Sequence, residues 1–231
     1  MVTSQRMANL KFAFFKTIPI LLSYLFLGMA FGILLQSIGY GFGWAMAISL
    51  LVFTGAFQFI LVGLMAGGAG LGTIAITALL INSRNLFYGF PFIQDFKAMG
   101  AKYPFMIHAM SDETFALLSA TEIPPELDRD ETRFFIALLN FSYWAIGSAL
   151  GGLIGNVLPF DLGGIDFCMT ALFITIFLDQ WRSFRSHLPA LLGLGCSILS
   201  LLIVGPRYFL LPALMITVAG LLLVRKGVER I

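Results

Sequence analysis

A chain of 231 residues that is 59% hydrophobic and only 11% charged, with a mean hydropathy of +0.93, lies well outside the soluble range, where about a quarter of residues carry charge. A net charge of +2 from scattered basic residues offers no basic stripe to nucleic acid. Two cysteines, Cys168 and Cys196, each inside an apolar run, exclude a disulfide framework. The expected solvent is the lipid bilayer, and the expected organisation is one membrane domain over residues 1–231.

In chain order, apolar runs suited to roughly 30 Å of hydrocarbon fall at 18–38, 44–66, 71–93, 105–120, 134–156, 165–181, 188–204 and 207–224. The fold class predicted is all-α, a polytopic membrane helical bundle of about seven or eight spans, not all of which need cross fully. Glycine- and proline-rich turns separate them, among them GYGFG at 39–43, GGAGLG at 67–72 and PPELDRDE at 124–131. Arg6, Lys11 and Lys16 precede the first run, which is longer than a signal-peptide core and has no small-residue cleavage site after it. The first helix is therefore expected to stay in the mature protein.

The second run carries FTGAFQF at 53–59, with Thr54 and Gln58 at i and i+4 and Gly55 beside them. A buried glutamine needs either a neighbouring helix or a ligand. The GGAGLG loop that follows lacks the strand a dinucleotide site requires.

The third run, ALLINSRNLFYGFPF at 78–92, sets Asn82, Ser83, Arg84 and Asn85 in apolar surroundings. Four consecutive polar residues on an unbroken helix point to nearly every side, and arginine at the bilayer centre costs at least about 2.5 kcal/mol. An interrupted helix lining a watery cavity is the cheaper solution. The plainer alternative has Arg84 snorkelling to an interface or pairing with a carboxylate for packing alone.

The fourth run contains HAMSDETF at 108–115, in which His108, Ser111 and Asp112 share one face of any helix that forms there. Asp112 and Glu113 are suited to neutralise Arg84, to bind an ammonium group, or to carry a proton where desolvation lifts a pKa. They equally suit the first turn of a helix, where the dipole favours acids. Interrupted or re-entrant helices are thus expected around 82–85 and 108–113. Three residues in one helical turn do not give a hydrolase triad its geometry. With no HExxH, GxSxG or GxxxxGK[ST] motif, neither an enzyme nor a nucleotide hydrolase is expected, and no catalytic residue, metal ligand or cofactor.

SYWAIGSALG at 142–151, in the fifth run, matches SYLFLGMAFG at 23–32 in five of ten positions at an offset of 119. Tyrosine and two glycines fall at i, i+4 and i+8 in each copy, a close-packing stripe. A repeat of this kind divides the chain into halves at 18–120 and 134–224, the arrangement by which many carriers build a site at an interface; chance similarity of two glycine-rich helices is the alternative. If every run crosses, ten Lys or Arg, Arg6 among them, lie on one side, while Lys97, Lys102 and Arg207 lie opposite, which predicts both termini in the cytoplasm. Re-entrant third and fourth runs would bring Lys97 and Lys102 to the first side.

SYLFLGMAFG, FTGAFQF, INSRNLFYG, MSDETFAL and GIDFCMTALFI, in that order over nearly the whole chain, resemble the AzlC-like large subunits of bacterial branched-chain amino acid exporters. The resemblance implies a secondary transporter that exports leucine, isoleucine, valine and methionine across the bacterial inner membrane. It also implies a separately encoded, small AzlD-like membrane subunit as partner. The family's recurring polar features map onto Gln58, Asn82, Arg84, Asp112 and Glu113. A zwitterionic cargo needs a donor for its carboxylate and an acceptor for its ammonium, and Arg84 with Asp112 or Glu113 supplies one of each. With Thr54, Gly55 and Asn85 these are the candidate site residues, the acidic pair being the candidates for proton coupling. A passive channel for small solutes, with the same patches forming a constriction, is the rival reading.

Overall fold

The computed structural model describes residues 2–83, 85–155, 167, 170–171, 174, 177–178, 181–182, 186–206 and 209–228. Arg84, Cys168 and most of the run at 165–181 lie outside them. The elements among the described residues are all helical: α1 (Val2–Ser37), α2 (Phe42–Leu51), α3 (Gly55–Ala66), α4 (Leu71–Asn82), α5 (Asn85–Tyr88), α6 (Ile93–Ala98), α7 (Tyr103–His108), α8 (Asp112–Ala120), α9 (Arg129–Ile154), α10 (Leu188–Val204) and α11 (Leu210–Val228). Of these, α1 and α9 are long and apolar enough to cross a membrane by themselves.

Polarity is distributed inside out. Asn9, Thr17, Gln58, Thr114 and Asn140 are fully buried, while Leu71 and Leu223 are 85% and 86% exposed. Large apolar side chains stand outward on α1, α9, α10 and α11, far beyond what a soluble monomer leaves to water.

The chain divides into two compact units, residues 1–62 with 82–165, and residues 63–81 with 166–231. The first is organised by α1 and α9, which lie side by side and run parallel. Asn9 reaches Glu131 and the backbone of Asp128 near both starts, and Gln36 meets Gly155 near both ends. Their seam is made by the two matching segments. A Cβ on Gly32 would come 2.2 Å from the Ser148 carbonyl oxygen, and one on Gly151 would come 2.1 Å from that of Met29. The contacts are reciprocal at the same offset: Gly28 lies against the carbonyl of Trp144, and Gly147 against that of Leu25. Only residues without side chains permit backbones this close.

The run at 44–66, read as a single span, and the run at 105–120, where an interrupted or re-entrant helix is expected around 108–113, are each broken and turned back. α2 starts beside Gly152, which meets Phe42 and Ala45, and descends to the level of Phe141, against which Phe53 packs. α3 returns, placing Phe59 beside Phe31 and Gln58 on the Ile48 carbonyl. From the opposite end, α7 climbs from Phe134 to Phe141 through Phe105 and His108. α8 then descends past Asn140 toward Phe92, which Arg133 overlies. The first break follows from Phe53, whose φ of +29° no α-helix accommodates. The second follows from the Ser111 cap, which starts a new helix. The run at 71–93 is interrupted as well: α4 ends at Asn82 and α5 starts at Asn85.

Of the two placements left open for Lys97 and Lys102, this geometry agrees with the re-entrant one, on the side of Arg6. Asp95 pairs with Arg133 and Arg129, Lys102 lies over Phe134, and Arg6 pairs with Glu131. All gather at the starting end of α1 and α9. The Arg133 hydrogen bond, above all, holds the Asp95 carboxyl below its usual range.

In the second unit, α10 and α11 form an antiparallel pair across Gly205, with Ser200 donating to the Phe209 carbonyl and Gly220 packed on Leu192. A cleft of about 560 Å³ there is lined by Gly67, Gly70, Thr73, Thr77, Val204 and Leu210.

Candidate functional site

The two hairpins enter from opposite ends and their tips meet halfway along α9. The His108 Nε2–H donates to the Leu50 carbonyl at 2.7 Å, joining the end of α7 to the last turn of α2. Four helix ends thereby converge: the C-termini of α2 and α7 and the N-termini of α3 and α8. Each carries about half a charge of fixed sign, so the region is polar even before its side chains are counted.

The tip of the α2–α3 hairpin is held from beneath by aromatic rings. A positive φ on phenylalanine costs roughly 1–3 kcal/mol, and it persists because the Phe53 ring is fixed against Phe141, at 4.7 Å between centroids. The Gln58 amide donates to the Ile48 carbonyl at 3.2 Å, and its oxygen accepts from the Trp144 indole at 2.7 Å. Both ends of this buried side chain are therefore bonded within the protein. Gly55 lies beneath Trp144, where a Cβ would come 3.1 Å from the ring. The buried Thr54 hydroxyl oxygen has no hydrogen-bond partner among the described residues.

The tip of the α7–α8 hairpin carries the acids. Ser111 caps α8 by accepting from the Thr114 backbone N–H at 3.1 Å. Asp112 and Glu113 occupy the first turn, the end of a helix at which acidic side chains are preferred. Each is bound by a tyrosine: the Tyr24 hydroxyl donates to Glu113 Oε2 at 2.6 Å, and the Tyr88 hydroxyl to Asp112 Oδ1 at 2.6 Å. Tyr24 also lies 2.8 Å from Ser111 Oγ and packs edge-on against Trp144 at 5.3 Å. One tyrosine of α1 therefore joins the α7–α8 hairpin to Trp144 of α9, the ring that also holds Gln58. Asn140 donates to the Thr114 hydroxyl at 3.1 Å, while its own carbonyl oxygen finds no partner among the described residues.

The structure thus brings Thr54, Gly55, Gln58, Asp112 and Glu113 to the two tips. Asn82 and Asn85 flank the interruption between α4 and α5, and Asn85 also lines a separate pocket of about 230 Å³ with Gly89, Ile93, Tyr103, Ile107 and Met110. Arg84 lies outside the described residues. His108, Ser111 and Asp112 do not share a helix face, because the chain breaks between His108 and Asp112 and the histidine turns to Leu50. Sequence reasoning missed Tyr24, Tyr88, Trp144 and Asn140. Tyr24 stood in the repeat and was weighed only as a packing element, yet a tyrosine hydroxyl buried in an apolar run itself demands a partner.

The profile of the family described as "AzlC protein" matches residues 19–158. The chain is 36% identical, over 98% of its length and 89% of the relative's, to the "Branched-chain amino acid transport protein AzlC" of Bacillus subtilis. It is 40% identical, over 95% of its length and 96% of the relative's, to an "Uncharacterized membrane protein" of Helicobacter pylori. To the "Inner membrane protein YgaZ" of Escherichia coli it is 25% identical over 74% of its length and 72% of the relative's. No solved structure matches the chain.

Proposed function

The chain belongs to the AzlC family, and on that premise we propose that it is a secondary transporter exporting branched-chain amino acids across a bacterial inner membrane. The carrying observation is the meeting of two oppositely directed broken hairpins at mid-length, with two tyrosine-held carboxylates at one tip. Irregular backbone is tolerated at bilayer depth only where protein or a hydrated cavity shelters it, and broken helices of this kind bind substrate and coupling ions in carriers.

Arg84, between the asparagines that flank the α4–α5 interruption, clamps the cargo's carboxylate, with Asn82 and Asn85 assisting. Thr54 and the N-terminus of α3 at Gly55 face the same species, and Gln58 fixes that tip. Asp112 or Glu113 receives the ammonium group or exchanges a proton, released from its tyrosine as it does so. The end that gathers Arg6, Lys97, Lys102, Arg129 and Arg133 is the cytoplasmic one, by the excess of basic residues, so α1 enters from the cytoplasm. Both termini lie on that side of a multi-pass chain, and a small AzlD-like subunit completes the carrier. One proton moved down 100 mV supplies about 2.3 kcal/mol, enough for a cargo gradient of roughly fiftyfold at 1.4 kcal/mol per tenfold.

The test is uptake and counterflow of labelled leucine in proteoliposomes, with and without the small subunit. Wild-type protein should accumulate leucine against its gradient under an imposed proton gradient and lose this with a protonophore. Glu113→Gln should cut uphill accumulation at least tenfold, and Arg84→Ala should remove flux altogether. Flux that only runs downhill, unaltered by these substitutions, would identify a passive channel instead.

A further inference from the structure

Between α5–α6 and α7 lies the pocket of about 230 Å³, and we infer that it takes the branched side chain of the transported amino acid, with Gly89 setting its size. This rests on the transport reading above. Asn85 and Tyr103 are the polar side chains in the lining, and the other residues, among them Ile93, Ile107 and Met110, are apolar or glycine. A water-sized group takes about 30 Å³, so a four-carbon side chain fills roughly half of this space and leaves room for its backbone end.

The orientation follows from where the ends lie. Asn85 stands at the α4–α5 interruption and Met110 at the tip of the α7–α8 hairpin, next to Ser111 and Asp112. Tyr88, one residue before Gly89, is bonded to Asp112. A cargo with its side chain in the pocket therefore presents its charged end toward the interruption and the α8 acids.

Gly89 is the one residue of this lining without a side chain. Its φ of −71° and ψ of −25° are helical, so a side chain introduces no backbone strain there, and a Cβ would meet nothing within 4 Å. The absence of a side chain at this point is thus not demanded by turn geometry or close packing. What it preserves is open volume. One methylene more or less in an apolar pocket changes discrimination roughly tenfold or more.

Leucine and valine counterflow, measured in competition in the same proteoliposomes, tests the assignment with Gly89→Ala and Gly89→Val. The expected result is a graded shift of the leucine-to-valine preference toward valine, roughly tenfold or more in Gly89→Val and smaller in Gly89→Ala. Wild-type vesicles that exchange no branched-chain amino acid overturn the transport reading and this assignment with it. Wild-type exchange with an unchanged leucine-to-valine ratio in Gly89→Ala and Gly89→Val overturns the assignment alone. Should Gly89→Val not insert, the ratio in Gly89→Ala decides.

Discussion

The seam between α1 and α9 and the pair of hairpins beside it solve opposite problems with the same composition. Along the seam, Gly28, Gly32, Gly147 and Gly151 bring backbones into contact with no polar side chain required. At the hairpin tips the backbone is interrupted, and beside the ring contacts the tips are joined by polar side chains: Gln58 to Ile48, His108 to Leu50, Tyr24 to Glu113, Asn140 to Thr114. The seam has one arrangement because a packed backbone has no other. The tips are held by hydrogen bonds, each worth about 0.5–1.5 kcal/mol net, and can exchange partners one at a time. A fixed frame beside a re-bondable centre is what a moving transport site requires.

The contrast is broken most severely by filling the seam. Gly32→Leu or Gly151→Leu would drive a side chain into backbone that cannot yield, and should cost at least about 3 kcal/mol, read as loss of monodisperse protein and of the thermal unfolding transition in detergent. Gly43→Ala, in α2 where a Cβ meets nothing within 4 Å, should raise that transition slightly through helix propensity. If both substitutions behaved alike, the seam would not be the frame.

A smaller effect is expected at the tips. Gln58→Leu strands the Trp144 indole N–H, while the Ile48 carbonyl keeps the Val52 N–H, and should destabilise by about 1–3 kcal/mol while leaving the protein inserted. Thermal unfolding in parallel with leucine counterflow should show activity falling further than stability. Proportional loss of both would make Gln58 a packing residue only.

The smallest effect lies at the charged end. Asp95 has a depressed pKa in the folded protein because Arg133 donates to it. The pair therefore stabilises above the ordinary carboxylate pKa of about 3.9, and the contribution disappears as pH falls through the lower folded value. Asp95→Asn should lower the unfolding temperature modestly at pH 7, since the carboxylate is partly exposed and screened. The difference from wild type should vanish in strong acid. A difference that grew toward low pH would reverse the assignment.

The two regions were unequally legible in the sequence. The spacing of Tyr24, Gly28 and Gly32, matched by Tyr143, Gly147 and Gly151, pointed to a close-packing stripe, because helical periodicity alone decides which residues share a face. The polar runs at 82–85 and 108–113 announced interruptions for a similar local reason: buried polar groups must find partners. That 44–66 turns back was not legible. Hydropathy measures how apolar a run is, not whether it reverses, and the bend at Phe53 depends on Phe141, 88 residues away in sequence.

At the starting end of the α1–α9 pair, segments near residues 6, 95 and 131 are tied by Arg6, Asp95, Glu131 and Arg133. Mobile ions screen exposed charges beyond about 8–10 Å at ordinary ionic strength and closer in as salt rises; glycine packed on backbone is indifferent to them. Concentrated electrolyte is therefore a one-sided lever on this molecule: it slackens the exposed Arg6–Glu131 tie more than that of the buried Arg133, and leaves the frame above untouched.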